Sequence, residues 1–270
     1  MSAKISFRNV SRQFAHHDGA SFLALDRLSV DVLEGEFVTL VGPSGCGKST
    51  ALNIAAGLIE PTGGEMIVNG RAVRGPGPER GVIFQQYALF PWLTVRQNVE
   101  FGLRIGGKKA SERRAIAQRF IDLVGLADFA DSLPKVLSGG MKQRCAIARA
   151  YAVDPTILLM DEPFGALDAL TRVQMQDQLL DTWSRERRTV MFVTHDVDEA
   201  VYLANRVIVM AARPGRLYEI IPVDLPYPRT EAIRLSGAFA EIRNRVWRAV
   251  YHQSARPPDS AAQDNEREIR

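Results

Sequence analysis

Cysteine is scarce. Only Cys46 and Cys145 occur in 270 residues, and their spacing matches no metal-ligand pattern. A disulfide scaffold is excluded, and a reduced cytosolic protein is the simplest inference. No stretch approaches the roughly 20 apolar residues that span a bilayer. The amino end, Met1-Ser2-Ala3-Lys4-Ile5-Ser6-Phe7, has no secretory apolar core. If the protein works at a membrane, a separate chain must supply the spanning helices. Charge of one sign is also missing: the formal net charge is +3, too mild for the concentrated basic stripe of a nucleic-acid binder. No internal repeat is visible. What remains is 46% hydrophobic and 24% charged residues, the balance of a globular chain with a real core.

Strand patterns fill the first third. Ile5 with Phe7, and Leu28, Val30 and Val32, recur with a period of two, and Phe37 to Val41 is almost continuously apolar. Such a run suits a strand covered on both faces. From about Tyr87 to Tyr151 the texture is helical. Thr94 and Gln97 have capping-box spacing, Ile116, Phe120 and Leu123 mark an apolar face stopped at Gly125, and Ser138 is placed to cap a helix towards Ala152. Apolar strands return at Ile157 to Met160, Val190 to Val193 and Val207 to Met210, alternating with helices at Val173 to Trp183 and after Asp196. The expected fold is α/β: a mostly parallel sheet, an antiparallel β subdomain at the amino-terminal side, and a helical insertion over about 87–152. One domain is expected over 1–225. Residues 226–270 read as a proline-containing linker, an amphipathic helix carrying Phe239, Ile242, Val246 and Val250, and a polar tail from Ser254 expected to be disordered.

Three segments carry chemistry. Gly42-Pro43-Ser44-Gly45-Cys46-Gly47-Lys48-Ser49, between a strand and a helix, is a phosphate-binding loop in its required context, and Thr50 continues it. Its glycines let backbone N–H groups turn inward around phosphates, and the helix N-terminus adds partial positive charge. Lys48 is placed to neutralise the β- and γ-phosphates of ATP, and Ser49 to ligate Mg²⁺. Asp161 ends an apolar strand, at the crevice where such sheets bind ligands. It is the second expected Mg²⁺ ligand, and Glu162 is placed to orient or deprotonate an attacking water. Ser138-Gly139-Gly140, at a helix start, is another anion cradle that one chain cannot fold onto the same phosphates, which points to use across a two-fold dimer.

With these three in order, the chain resembles the ATP-binding subunits of ABC transporters over about Ile5 to Pro222. The resemblance implies further roles. Phe14 matches the aromatic that stacks on adenine. Gln85, in Val82-Ile83-Phe84-Gln85, matches the glutamine that contacts Mg²⁺ and the lytic water; Gln86 adjoins it, but the Phe84-Gln85 pair favours Gln85. Asp168 matches the aspartate loop at the dimer seam, and His195 the switch histidine at the γ-phosphate. His16, His17 and His252 lack such context and read as surface residues. Cys145 and Tyr151 stand where aliphatic residues are commoner in the family, with packing consequences only.

The family further implies a homodimer and transmembrane permease subunits docking a short helix near Gln85 to Trp92. An indirect solute-binding protein, no nucleic acid, and a peripheral place on the cytoplasmic side of a bacterial membrane complete the picture. Phe90-Pro91-Trp92-Leu93-Thr94-Val95 and Leu167-Asp168-Ala169-Leu170-Thr171-Arg172 look like the nitrate, sulfonate and taurine importer branch. An exporter subunit and a soluble non-transport ATPase of the same family stay open as alternatives. A ribosome-acting member usually carries two nucleotide domains and a DNA-acting one a long coiled coil, and neither is visible.

Overall fold

A computed structural model describes residues 2–15 and 21–255. His16, His17 and most of the polar tail lie outside the described residues. Two sheets organise the chain. The first contains β1 (Ala3–Ala15), β2 (Ser21–Leu33), β4 (Gly63–Val68) and β5 (Arg71–Ala72), antiparallel in the order β2-β1-β4-β5. The second holds six strands: β3 (Phe37–Val41), β6 (Arg80–Ile83), β7 (Ile157–Asp161), β8 (Thr189–Val193), β9 (Arg206–Ala211) and β10 (Arg216–Pro222). Their order is β10-β9-β3-β8-β7-β6, all parallel except the edge strand β10.

Side-chain alternation explains why the central strands are apolar throughout. In β7, Leu158 and Met160 enter one core while Ile157 and Leu159 enter another; in β8, Val190 and Phe192 part from Met191 and Val193 in the same way. One core is closed by the antiparallel sheet and α1 (Lys48–Ala56), with Ile5, Phe7, Leu28 and Leu52 fully or almost fully buried. The other is closed by α5 (Ala169–Glu186), α6 (Val197–Leu203) and a helical insertion. That insertion comprises α2 (Val95–Ile105), α3 (Ala110–Leu123) and α4 (Gly139–Ala152).

The helix starts follow their local signals. Thr94 accepts from the Gln97 N–H while the Gln97 side chain accepts from the Thr94 N–H, so the capping box is formed at both ends. Such caps stabilise by about 1 kcal/mol. Leu123 is more than a third exposed, so it lies at the margin of the α3 face and not within it.

The end of the chain departs from the sequence expectation in one respect. The stretch expected as a linker lies on the core: Arg229 is buried, its guanidinium 4.0 Å from the Tyr227 ring and donating to the Ala204 carbonyl at 2.9 Å. Tyr227 in turn packs on Trp183. Beyond it come a single turn, α7 (Glu231–Arg234), and α8 (Gly237–Ala255), whose Phe239 and Val246 are buried.

Candidate functional site

The phosphate-binding loop leaves the end of β3, where parallel strands present their carboxyl ends. Two of its glycines are dictated by space as well as by angle. Gly42 has φ +157°, and a Cβ there would sit 2.6 Å from the Met210 carbonyl and 2.8 Å from Cys46 Sγ. Gly47 has φ +88°, and a Cβ there would meet Leu25 Cδ2 at 2.7 Å. Ser44, Gly45 and Ser49 are exposed, Pro43 and Thr50 half-buried, and Cys46 fully buried beneath the loop. Burial holds the Cys46 thiol above its ordinary value, so it packs as an apolar group. Lys48 is 8% exposed; its Nζ donates to the Gly42 and Pro43 carbonyls at 2.9 and 3.1 Å. The cation therefore stands inside the loop.

Asp161, the last residue of β7, is buried with the Ser49 side chain beside its carboxylate. Burial raises its pKa, the adjacent Glu162 adds to that, and Ser49 and Lys48 oppose both. Glu162 leaves the strand with φ +45°, a left-handed conformation that costs a non-glycine residue of order 1 kcal/mol or more. Its N–H donates to Val193 at 2.9 Å, and its carbonyl accepts from Gly165. The side chain then meets two groups from neighbouring strand ends at one oxygen. Gln85 Nε2 donates to Glu162 Oε2 at 3.2 Å, and His195 Nδ1 stands 3.1 Å from the same atom.

The remaining expected residues lie on other elements. Ser138 caps α4, its hydroxyl accepting from Met141 N–H at 3.3 Å. Gly139 and Gly140 follow with no room to spare: an added Cβ would come within 3.0 Å of the Tyr87 hydroxyl and 3.1 Å of Leu167. Asp168 caps α5, accepting from Thr171 N–H at 2.9 Å, and that bond holds its carboxyl below the usual range. Phe14 is half-buried on β1 with Arg12 4.5 Å from its ring centroid. It pairs with Phe22, along the ribbon from Leu25, which backs Gly47.

The donors fit a hard divalent cation. Ser49 and Asp161 are neighbouring oxygen ligands, the set Mg²⁺ prefers beside phosphate oxygens. Among the described residues no group of three or more His, Cys, Asp or Glu gathers to hold a metal alone.

Sequence reasoning missed several residues that shape this site. Arg149 on α4 donates to the carbonyls of Ala88 and Tyr87 at 2.7 and 3.3 Å, tying the helical insertion to the segment after Gln85. Asn98 fastens the same segment from α2, and buried Glu199 stands behind His195. Asp196 and Glu199 do have capping-box spacing, a signal that was there to be used. Its inward-turned carboxylate has none.

A protein-family model described as ABC transporter matches residues 25–165. The chain belongs to the ABC transporter family as an ATP-binding subunit. A putative ATP-binding protein of Brucella abortus (strain 2308) is 76% identical over 94% of this chain and 95% of its own length. The aliphatic sulfonates import ATP-binding protein of Bacillus cereus (strain ZK / E33L) is 45% identical, with 90% of this chain and 94% of that protein covered. The taurine import ATP-binding protein of Jannaschia sp. (strain CCS1) is likewise 45% identical, with 90% and 92% covered. Among solved structures, the dimeric structure of a bacterial ABC transporter cassette superposes with TM-score 0.76 at 34% identity, covering 82% of this chain and 100% of that one. A dimeric post-hydrolysis state of that cassette with ADP and phosphate gives 0.75 at 33% identity. This ABC subunit is accordingly an ATP-binding, ATP-hydrolysing protein. No helix among its described residues is long and apolar enough to cross a membrane.

Proposed function

We propose that two copies of this ABC subunit close around two ATP molecules and drive uptake of a small sulfonate-like anion through separate permease subunits. The convergence of Gln85 and His195 on Glu162 Oε2, beside Asp161, Ser49 and Lys48, is the observation that carries the hydrolytic part. Phosphoryl transfer asks little covalent chemistry of a protein; positioning and charge stabilisation supply the rate. Lys48 would hold the β- and γ-phosphates, with the loop N–H groups from Gly42 to Thr50 around them. Ser49 and Asp161, with Gln85, would hold Mg²⁺, which supplies neutralisation of the phosphate charge when bound. Glu162 accepts the proton of the attacking water, and His195 fixes the carboxylate and reaches the γ-phosphate. Phe14 stacks on the adenine.

Each pocket is completed by the partner copy. Ser138, Gly139 and Gly140 at the start of α4 would bind the γ-phosphate held by the other copy's Lys48, with Asp168 at the seam. The dimeric cassettes among the structural relatives support this arrangement. The permease would dock along Gln85 to Trp92, where Trp92 is 71% exposed and packs on Phe90, which packs on Phe101. The subunit would then sit at the cytoplasmic face of the membrane, with a solute-binding protein acting indirectly from the far side. The sulfonate and taurine importers among the relatives support the cargo class.

The subunit reconstituted with its permease in vesicles tests this. ATP hydrolysis should rise when a sulfonate-loaded binding protein is added, and not with the unloaded protein. No stimulation by sulfonates, together with stimulation by another solute class, would overturn the cargo assignment.

A further inference from the structure

The segment after β10 is joined to the back of the site through one side chain. Arg234, at the end of α7, lies 3.4 Å from the centroid of the Tyr202 ring and 3.6 Å from Asp177 Oδ1. Its Nη2 donates to Gln176 Oε1 at 2.7 Å. Gln176 is a buried residue of α5, and its Nε2 donates to Glu199 Oε1 at 2.9 Å. Glu199 is buried as well, with the Thr194 side chain beside its carboxylate. The Thr194 oxygen accepts from Asp196 N–H at 3.0 Å, and Asp196 Oδ1 accepts from Glu199 N–H at 3.0 Å. His195 is the residue enclosed between these anchors.

The chain of bonds has a direction. A guanidinium offers donors only, so Arg234 fixes the oxygen end of the Gln176 amide towards itself. The nitrogen end is then obliged to face Glu199. Without Arg234, the amide oxygen loses its donor and only the Glu199 carboxylate still selects that orientation, so the Gln176 amide is free to turn away from Glu199. Glu199 would lose a donor in a place where an unpaired polar group is costly. The turn Thr194 to Glu199 would loosen, and with it the position of His195 Nδ1 against Glu162.

We infer that Arg234 is a positioning residue for His195, acting through Gln176 and Glu199, so that the carboxyl-terminal extension sets the rate of ATP hydrolysis. The inference rests on the hydrolytic reading of Glu162 and His195. A guanidinium that merely pins α7 would move stability and leave turnover alone.

Steady-state phosphate release by the full chain separates the two. Arg234→Ala should lower kcat about tenfold, as a displaced catalytic group does, while KM for ATP stays within about twofold. Arg234→Lys should recover most of the loss, since an ammonium also donates to Gln176 Oε1. Gln176→Leu should reproduce the loss, and the double variant should be no slower than the slower single one, because both break one chain of bonds. Wild-type kcat in Arg234→Ala, a loss confined to KM, or losses that multiply in the double variant would each overturn the inference. If Arg234→Ala fails to fold, Gln176→Leu decides, and wild-type kcat there overturns it. Glu162→Gln keeps the two readings apart. Full activity in that variant sinks the hydrolytic assignment itself, whereas an inactive Glu162→Gln beside an unimpaired Arg234→Ala sinks only the link.

Discussion

Asn98 offers the most demanding test of how the segment from Phe90 to Thr94 is built. It is fully buried on α2, and its side chain holds the chain from Phe90 to Thr94. Oδ1 accepts from Phe90 N–H at 2.9 Å; Nδ2 donates to the carbonyls of Phe90, Leu93 and Thr94 at 3.2, 2.9 and 3.0 Å. Two amide protons serve three carbonyls, so the side chain makes about three effective bonds, each with a net value of about 1 kcal/mol. Asn98→Ala removes them and leaves partners that water reaches only in part, a loss of about 2–4 kcal/mol. For a domain of this size that is a fall of roughly 4–16 °C in Tm. Asn98→Asp is the sharper variant. It preserves the volume and the acceptor for Phe90, but replaces the donor with a charge facing three carbonyls, so it should melt below Asn98→Ala. Thermal denaturation followed by circular dichroism at neutral pH reads both. An Asn98→Asp protein as stable as wild type, or more stable than Asn98→Ala, would mean that the amide does not clamp those carbonyls.

Two further outcomes follow from the site. Burial holds the Asp161 carboxyl above its ordinary value, so the native state keeps that proton to higher pH than the unfolded chain and ionisation opposes folding at neutral pH. Asp161→Asn should raise Tm near pH 7.5 without nucleotide, by about 2–4 °C for each kcal/mol relieved, and the gain should vanish as pH falls towards roughly 3.9; a gain that grows towards acid would contradict the sign. Mixing an inactive Lys48→Ala protein with an inactive Ser138→Arg protein should restore about a quarter of wild-type turnover, since half of the dimers are mixed and each mixed dimer has one intact composite site. No recovery from well-folded, associating proteins would refute pockets shared between copies.

How much of this was legible in the sequence depended on how local each signal is. The apolar runs of β3, β7, β8 and β9 announced buried parallel strands because both faces are covered, and the capping residues Thr94 and Ser138 announced their helices within one turn. β6 was not legible: Arg80-Gly81-Val82-Ile83 is short and carries a charge and a glycine. β10 was missed for another reason, since an antiparallel edge strand needs only one apolar face and tolerates the proline that ends it. Prolines at 226 and 228 made the following stretch look like a free linker. Its burial turns on Arg229 finding the Ala204 carbonyl, a partner on another element that no local pattern reports. The start of α5 was read at Val173, and the cap at Asp168 moves it to Ala169. At the site, the glycine loop was readable because its constraint is local. That Gln85 and His195 share one oxygen of Glu162 was not, because three separate strands bring them together.

Those strands explain why the site needs so little loop. Ile83 pairs with Met160, Asp161 with Val193, and Leu40 with Val193, so the ends of β6, β7, β8 and β3 stand level across the sheet. Gln85 is two residues past its strand, Glu162 one, His195 two, and Gly42 one. A slip of one residue in any pair would displace its group by about 3.3 Å and turn it to the other face. The register of buried strands, fixed by the two cores, therefore does the positioning that longer loops would do poorly. Ser138 belongs to α4 in the helical insertion, which the sheet register does not govern. In the proposed dimer, Ser138 would therefore approach the phosphates with the insertion rather than with the strand ends. In that dimer, a site shared in this way would couple nucleotide chemistry to subunit closure.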